Sequence, residues 1–132
     1  MKTSCFFIFK GPGRISIARY APRDTPAGFR VFKGLAPGSW FNSVTEAQYR
    51  ELFAREILGR LDPVKVWDDL HTLAGGNEPV LLCWEQPRDL QTGKTYCHRR
   101  MVADWFEREL GYKVEELEFG LREGPRRLAQ ER

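Results

Sequence analysis

"VLLCWEQPRDLQTGKTYCHRRMVADWF", Val80 to Phe106, decides how the chain is read. It opens on an apolar run, and such a run without polar alternation is typical of a central strand covered on both faces. A polar loop follows from Gln86 to Tyr96, with Pro87 and Gly93 in it. From Cys97 the spacing turns helical. Met101, Val102, Trp105, Phe106 and Leu110 fall on one side, and Gly111 is the stop. Strand, loop and helix in this order resemble the crossover units of doubly wound sheets, in which ligands bind outside the carboxyl ends of the strands.

Working outward, two helices precede this unit. "SVTEAQYRELFAREILGRL" has Ser43 as an N-cap with Glu46 three residues on, the pattern of a capping box, and Gly59 closes it. "DPVKVWDDLHTLAGG" has Asp62 as cap, Pro63 at the first helical position and Gly75–Gly76 as the stop. Further back, "SCFFIF" (Ser4 to Phe9) reads as a buried strand and "KGPG" as a turn. "RISIA" (Arg14 to Ala18) is a second strand by its alternation. Residues 20–43 form a long Pro- and Gly-punctuated loop with a short strand at Phe29 to Lys33. Beyond the last helix, Tyr112 to Phe119 is a closing strand. The expected fold is therefore α/β: a small three-layer sandwich, a mostly parallel sheet of about four or five strands with helices packed on it. A single domain covers residues 1–120, and 121–132 form a polar C-terminal tail.

The bulk numbers agree with one domain. The chain has 132 residues, 42% hydrophobic and 30% charged, an ordinary globular balance. Its apolar runs fall far short of the ~20 residues that cross a bilayer, and its start lacks a signal-peptide core. A cytoplasmic protein with no membrane partner is expected. Three cysteines cannot all pair within one chain, so Cys5, Cys83 and Cys97 read as thiols or ligands. The net charge of +3 conceals a division. Residues 1–40 carry seven Lys/Arg and one acid, Asp24, whereas residues 41–132 carry fourteen Lys/Arg and seventeen acids. A basic, loop-rich first third suits an anionic partner such as nucleic acid, and it equally serves as a solvated surface.

The candidate chemistry lies at the two ends of the Gln86–Tyr96 loop. Cys83 and Glu85 are two residues apart at a strand end, so they point to one sheet face. Cys97 opens a helix, where unpaired N–H groups and the adjacent His98, Arg99 and Arg100 favour a thiolate. One reading is a nucleophilic thiol, Cys97 or Cys83, with Glu85 as general acid or base. A second is an anion cradle, with the helix start, Arg99 or Arg100, His98 and Arg19 holding a nucleotide or nucleic-acid component. A third is a metal-stabilised domain using Cys83, Cys97, His98 and either Cys5 or His71. The spacing matches no standard zinc pattern, and adjacent helical residues diverge by ~100°, so no metal and no cofactor is expected. A fourth is a non-catalytic nucleic-acid or protein-binding module, with Trp40 and Phe41 beside Arg19, Arg23 and Arg30. A Walker loop, a dinucleotide fingerprint and H-E-x-x-H are absent from the sequence, and Ala103 stands where a Cys-x5-Arg phosphate loop needs its arginine.

Taken in order, "SIARYAP", "GLAPGSW", "FAREILGRLDPVKVWDDL", "VLLCWE" and "CHRRMVADWF" resemble the bacterial and phage domain-of-unknown-function family numbered 488. The likeness runs from about Cys5 to Tyr112, and the "LLC-x-E … CHR" pair is its specific part. The resemblance implies an α/β domain with a pocket built from Arg19, Cys83, Glu85, Cys97, His98 and Arg99. It implies no particular reaction. The chain departs from the family pattern in the loop before Cys97, which is lengthened through "DLQTGKTY".

Overall fold

A computed structural model describes residues 1–118. The tail assigned to 121–132 and the last residues of the 1–120 domain lie outside the described residues, as does Phe119 of the expected closing strand. The strands are β1 (Lys2–Cys5), β2 (Arg14–Ser16), β3 (Arg30–Val31), β4 (Val80–Cys83) and β5 (Glu115–Glu116). They form one sheet in the order β3-β2-β4-β1-β5, and every pairing is parallel. Val80 of β4 sits beside both Lys2 and Arg14, so β4 is the central strand that the apolar run implies. The helices are α1 (Glu46–Leu52), α2 (Pro63–Ala74), α3 (Pro87–Gln91) and α4 (His98–Leu110).

Alternation along the strands divides the core in two. Ile15, Ile17, Leu81 and Cys83 meet Tyr49, Phe53, Val66, Leu70, Val102 and Phe106, so α1, α2 and α4 share one face of the sheet. The other face buries Val80 and Leu82 against Phe6, Phe9 and Ala18. Among the described residues this third layer is loop and not helix. Burying residues such as Leu81 and Leu82 completely stabilises the fold by roughly 1.5–3 kcal/mol each.

That back layer corrects the reading of "SCFFIF". The strand is Lys2–Cys5, and Phe6 to Phe9 form a turn in which the amides of Ile8 and Phe9 donate to the Cys5 carbonyl. Cys5 pairs with Cys83, the last residue of β4, so little ladder remains for the aromatic run. It turns instead over the back of β4 and carries the chain to β2 on its far side. The crossing uses only the residues between Cys5 and Arg14, where parallel strands usually need a dozen or more. Gly13 makes this possible. Its φ is +84°, and a Cβ there would lie 2.1 Å from the Glu78 carbonyl oxygen.

The helix before Asp62 also differs from expectation. Its cap is Thr45, not Ser43: Thr45 accepts from the Gln48 amide and the Gln48 side chain accepts from the Thr45 amide. "S-x-x-E" and "T-x-x-Q" overlap here, and both satisfy the capping-box pattern. After Leu52 the helix widens into a π turn over Phe53–Ile57 and tightens into a 3-10 turn over Leu58–Arg60. The second helix follows its signals, with Asp62 capping the Val64 amide and Gly75 in the left-handed conformation. α3 is a short helix inside a segment read as loop. No helix among the described residues is long and apolar enough to cross a membrane.

Candidate functional site at the β2–β4 switch point

The strand order locates a cleft. From β2 the chain moves outward to β3, and from β4 it moves the opposite way to β5, yet β2 and β4 are neighbours. Their loops diverge, leaving a crevice at their carboxyl ends, which is where open α/β sheets bind ligands. A cavity of about 600 Å³ occupies that crevice. Its walls come from the end of β2 (Arg19, Tyr20), the end of β4 (Cys83, Glu85), the start of α4 (Cys97, His98) and Tyr49 of α1. Trp84 ties two rims together by donating its indole N–H to the Tyr20 carbonyl at 2.7 Å.

Arg19 is held across the mouth. It donates to the Pro37 carbonyl at 3.0 Å, and its guanidinium lies 5.4 Å from the Phe41 ring centroid. Its Nε is buried and has no partner among the described residues. A shallower hollow of about 320 Å³ shares Arg19 and Tyr20 and adds Lys33.

At the floor, three buried side chains converge. The ligand atoms of Cys83, Cys97 and His98 lie within 4.8 Å of one another. His98 Nε2 is 2.7 Å from the Ile17 carbonyl oxygen. A carbonyl only accepts, so Nε2 carries a proton; Nδ1 lies 3.8 Å from Cys83 Sγ and 3.9 Å from Cys97 Sγ, and Cys83 Sγ is nearer still to Nε2, at 3.5 Å. Phe53, the first residue of the π turn, packs edge-on against the imidazole with centroids 5.4 Å apart. Cys97 is the N-cap of α4 and has extended backbone (φ −149°, ψ 141°). The ~100° divergence of neighbouring helical residues therefore does not apply to the Cys97–His98 pair. Cys5 lies elsewhere, 3.9 Å from Gln86 Oε1. His71 accompanies Trp67 on α2, its Nδ1 2.8 Å from the Trp67 carbonyl oxygen.

Burial pushes the Cys97 thiol well above its ordinary range, and Cys83 beside it adds to the shift. His98 pulls the other way without outweighing this. The helix start therefore does not yield the activated thiolate expected of it. Burial likewise raises the phenols of Tyr49 and Tyr96.

Arg99 and Arg100 correct the anion-cradle expectation, because neither lines the cavity. Arg99 is fully buried and grips Glu116 of β5, with Nη2–Oε2 at 2.6 Å. Its Nη2 also donates to the Glu85 carbonyl at 2.8 Å, and its Nη1 to Cys97 Sγ at 3.5 Å. Burial works against its charge, but the Glu116 carboxylate outweighs that and holds the guanidinium protonated. Arg100 donates to Thr3 Oγ1 at 2.7 Å and to the Val114 carbonyl at 3.1 Å. Arg19, Cys83, Glu85, Cys97 and His98 are thus gathered at one cavity, while Arg99 supports it from behind.

Sequence reasoning missed the aromatic walls, Tyr20, Tyr49, Trp84 and Tyr96. Two carried a signal: Tyr20 directly follows the strand-end Arg19, and Trp84 stands between Cys83 and Glu85, where a side chain projects from a strand end into the crevice.

No family model, curated protein or solved structure matches this chain.

Proposed function

We propose that the chain binds a planar anionic ligand, a nucleotide or a nucleic-acid component, in the cavity between the ends of β2 and β4. The observation that carries this reading is Arg19, a guanidinium stacked on Phe41 with a buried, unpartnered Nε beside an aromatic-walled cavity. The cavity volume suits such a ligand, since small-molecule sites run about 300–1,000 Å³. Tyr20, Trp84 and Tyr96 offer faces on which a base stacks, and Arg19 with Lys33 offers charge for a phosphate. Glu85 is the residue this proposal assigns to proton transfer. The raised pKa of Cys97 argues against a nucleophilic thiol.

Kinship with the family numbered 488 belongs to the same proposal, as does a cytoplasmic location, which three free cysteines favour. Binding through the basic N-terminal loop alone has less support. Lys10 and Arg14 each donate to a backbone carbonyl near their own loop, and Lys2 pairs with Glu78 and Glu115.

The test is a thermal-shift screen with nucleoside mono- and diphosphates, followed by calorimetry on the best of them. We expect a rise in Tm, and we expect Arg19→Ala to weaken binding about 10- to 100-fold, the size of a lost charge-assisted hydrogen bond. No Tm shift across the panel, or an unchanged affinity in Arg19→Ala, overturns the reading.

A further inference from the structure

We infer that Cys83 Sγ, Cys97 Sγ and His98 Nδ1 form a zinc site with one coordination position open to the cavity. The spacing supports it. Zinc bonds of about 2.3 Å to sulfur and 2.0–2.1 Å to nitrogen, in tetrahedral geometry, put sulfur and nitrogen about 3.6 Å apart. Nδ1 stands 3.8 Å from one sulfur and 3.9 Å from the other, close to the bonded spacing, and closing the set requires Cys83 Sγ, now 3.5 Å from Nε2, to swing round to the Nδ1 side of the ring.

The support around the ligands also fits. A metal-bound histidine donates its other N–H to a carbonyl or carboxylate, which fixes the tautomer. Nε2 on the Ile17 carbonyl does this, and Phe53 packs on the ring. Arg99 Nη1–H donates to Cys97 Sγ, a contact that favours a sulfur carrying negative charge. Charge balances on occupation: two thiols lose their protons to solvent, and the two thiolates neutralise Zn²⁺. A buried cluster of two thiols and an imidazole is thereby converted into a neutral centre, backed by the Arg99–Glu116 ion pair.

Cys83, Cys97 and His98 all line the cavity, so the fourth ligand comes from its contents, a water or a ligand atom. Three protein ligands and an open place are the arrangement of catalytic zinc, whereas structural sites are closed by a fourth residue. Adjacent Cys97 and His98 both reach the site because Cys97 is an N-cap with extended backbone and not a helical residue.

The site does not depend on which ligand fills the cavity, so it is tested with metal alone. Reduced, chelator-treated protein is titrated with Co²⁺, whose thiolate complexes show a sulfur-to-metal charge-transfer band and strong visible bands. We expect saturation at one equivalent and displacement of the cobalt by Zn²⁺. Cys5→Ser should leave the titration unchanged. Cys83→Ser and Cys97→Ser should each weaken the charge-transfer band, and His98→Ala should lower affinity at least tenfold. Wild-type protein that shows no charge-transfer band with Co²⁺, while its three thiols titrate as free, overturns the inference. So does a band that Cys5→Ser abolishes. Because the wild-type titration is decisive by itself, a variant that fails to fold does not blur the result.

Discussion

Cys97 and His98 face the crevice between β2 and β4, whereas Arg99 and Arg100, the next two residues, face the opposite edge of the sheet at β1 and β5. The first pair borders a cavity, where the Cys97 sulfur and the His98 imidazole gather beside Cys83. The second pair is saturated by Glu116, Thr3 and backbone carbonyls. Four consecutive residues at one helix start thus divide into a site and its brace. The difference teaches that charge near a helix N-terminus is no guide to ligand binding until its partners are known. Here a two-residue strand, β5, supplies the carboxylate that draws Arg99 away from the crevice.

The largest effect should come from breaking the brace. Arg99→Met leaves Glu116 nearly buried without its main counter-charge, and we expect a loss of about 3–5 kcal/mol in a denaturant titration. The double variant Arg99→Met/Glu116→Leu should recover much of that, because replacing both members of a buried pair by apolar groups costs little. A loss near zero for the single variant would dissolve the distinction between brace and site.

A second effect is kinetic. In metal-free protein, Cys97 should be alkylated by iodoacetamide at least tenfold more slowly than a free thiol at neutral pH. Burial raises its pKa, so the thiolate is scarce there and the rate should climb only as pH moves above the ordinary thiol range. Mass mapping of the labelled cysteine checks this, and rapid labelling at neutral pH would restore the activated-thiol reading.

The smallest effect belongs to Arg100. Its side chain is about one-third exposed and makes two hydrogen bonds, so Arg100→Met should cost about 1 kcal/mol. A cost equal to that of Arg99→Met would mean that both arginines act as one unit on Glu116.

Much of this division was legible before the structure. Val80–Cys83 was readable as a central strand because an apolar run of that length has nowhere else to go. The second helix was readable from Asp62, Pro63 and Gly75, each acting through local chemistry. The grouping of Arg19, Cys83, Glu85, Cys97 and His98 followed from strand ends and a helix start facing one crevice. The roles of Arg99 and Arg100 were not legible, because they depend on a pairing between β1 and β5 that joins residues more than a hundred positions apart. The Phe6–Phe9 turn was hidden for a related reason. An apolar aromatic run satisfies burial equally as a strand or as a lid over the back of β4, and only the length of β4 selects the lid.

The most direct measurement of the central claim is a backbone amide NMR titration with a nucleoside monophosphate. The account predicts shifts concentrated at Ile17 to Tyr20, Cys83 to Glu85 and Tyr96 to His98, with Arg14, Arg23 and Arg30 unmoved. Shifts concentrated on those basic-loop residues, or on Arg100 and the β5 edge, would contradict it.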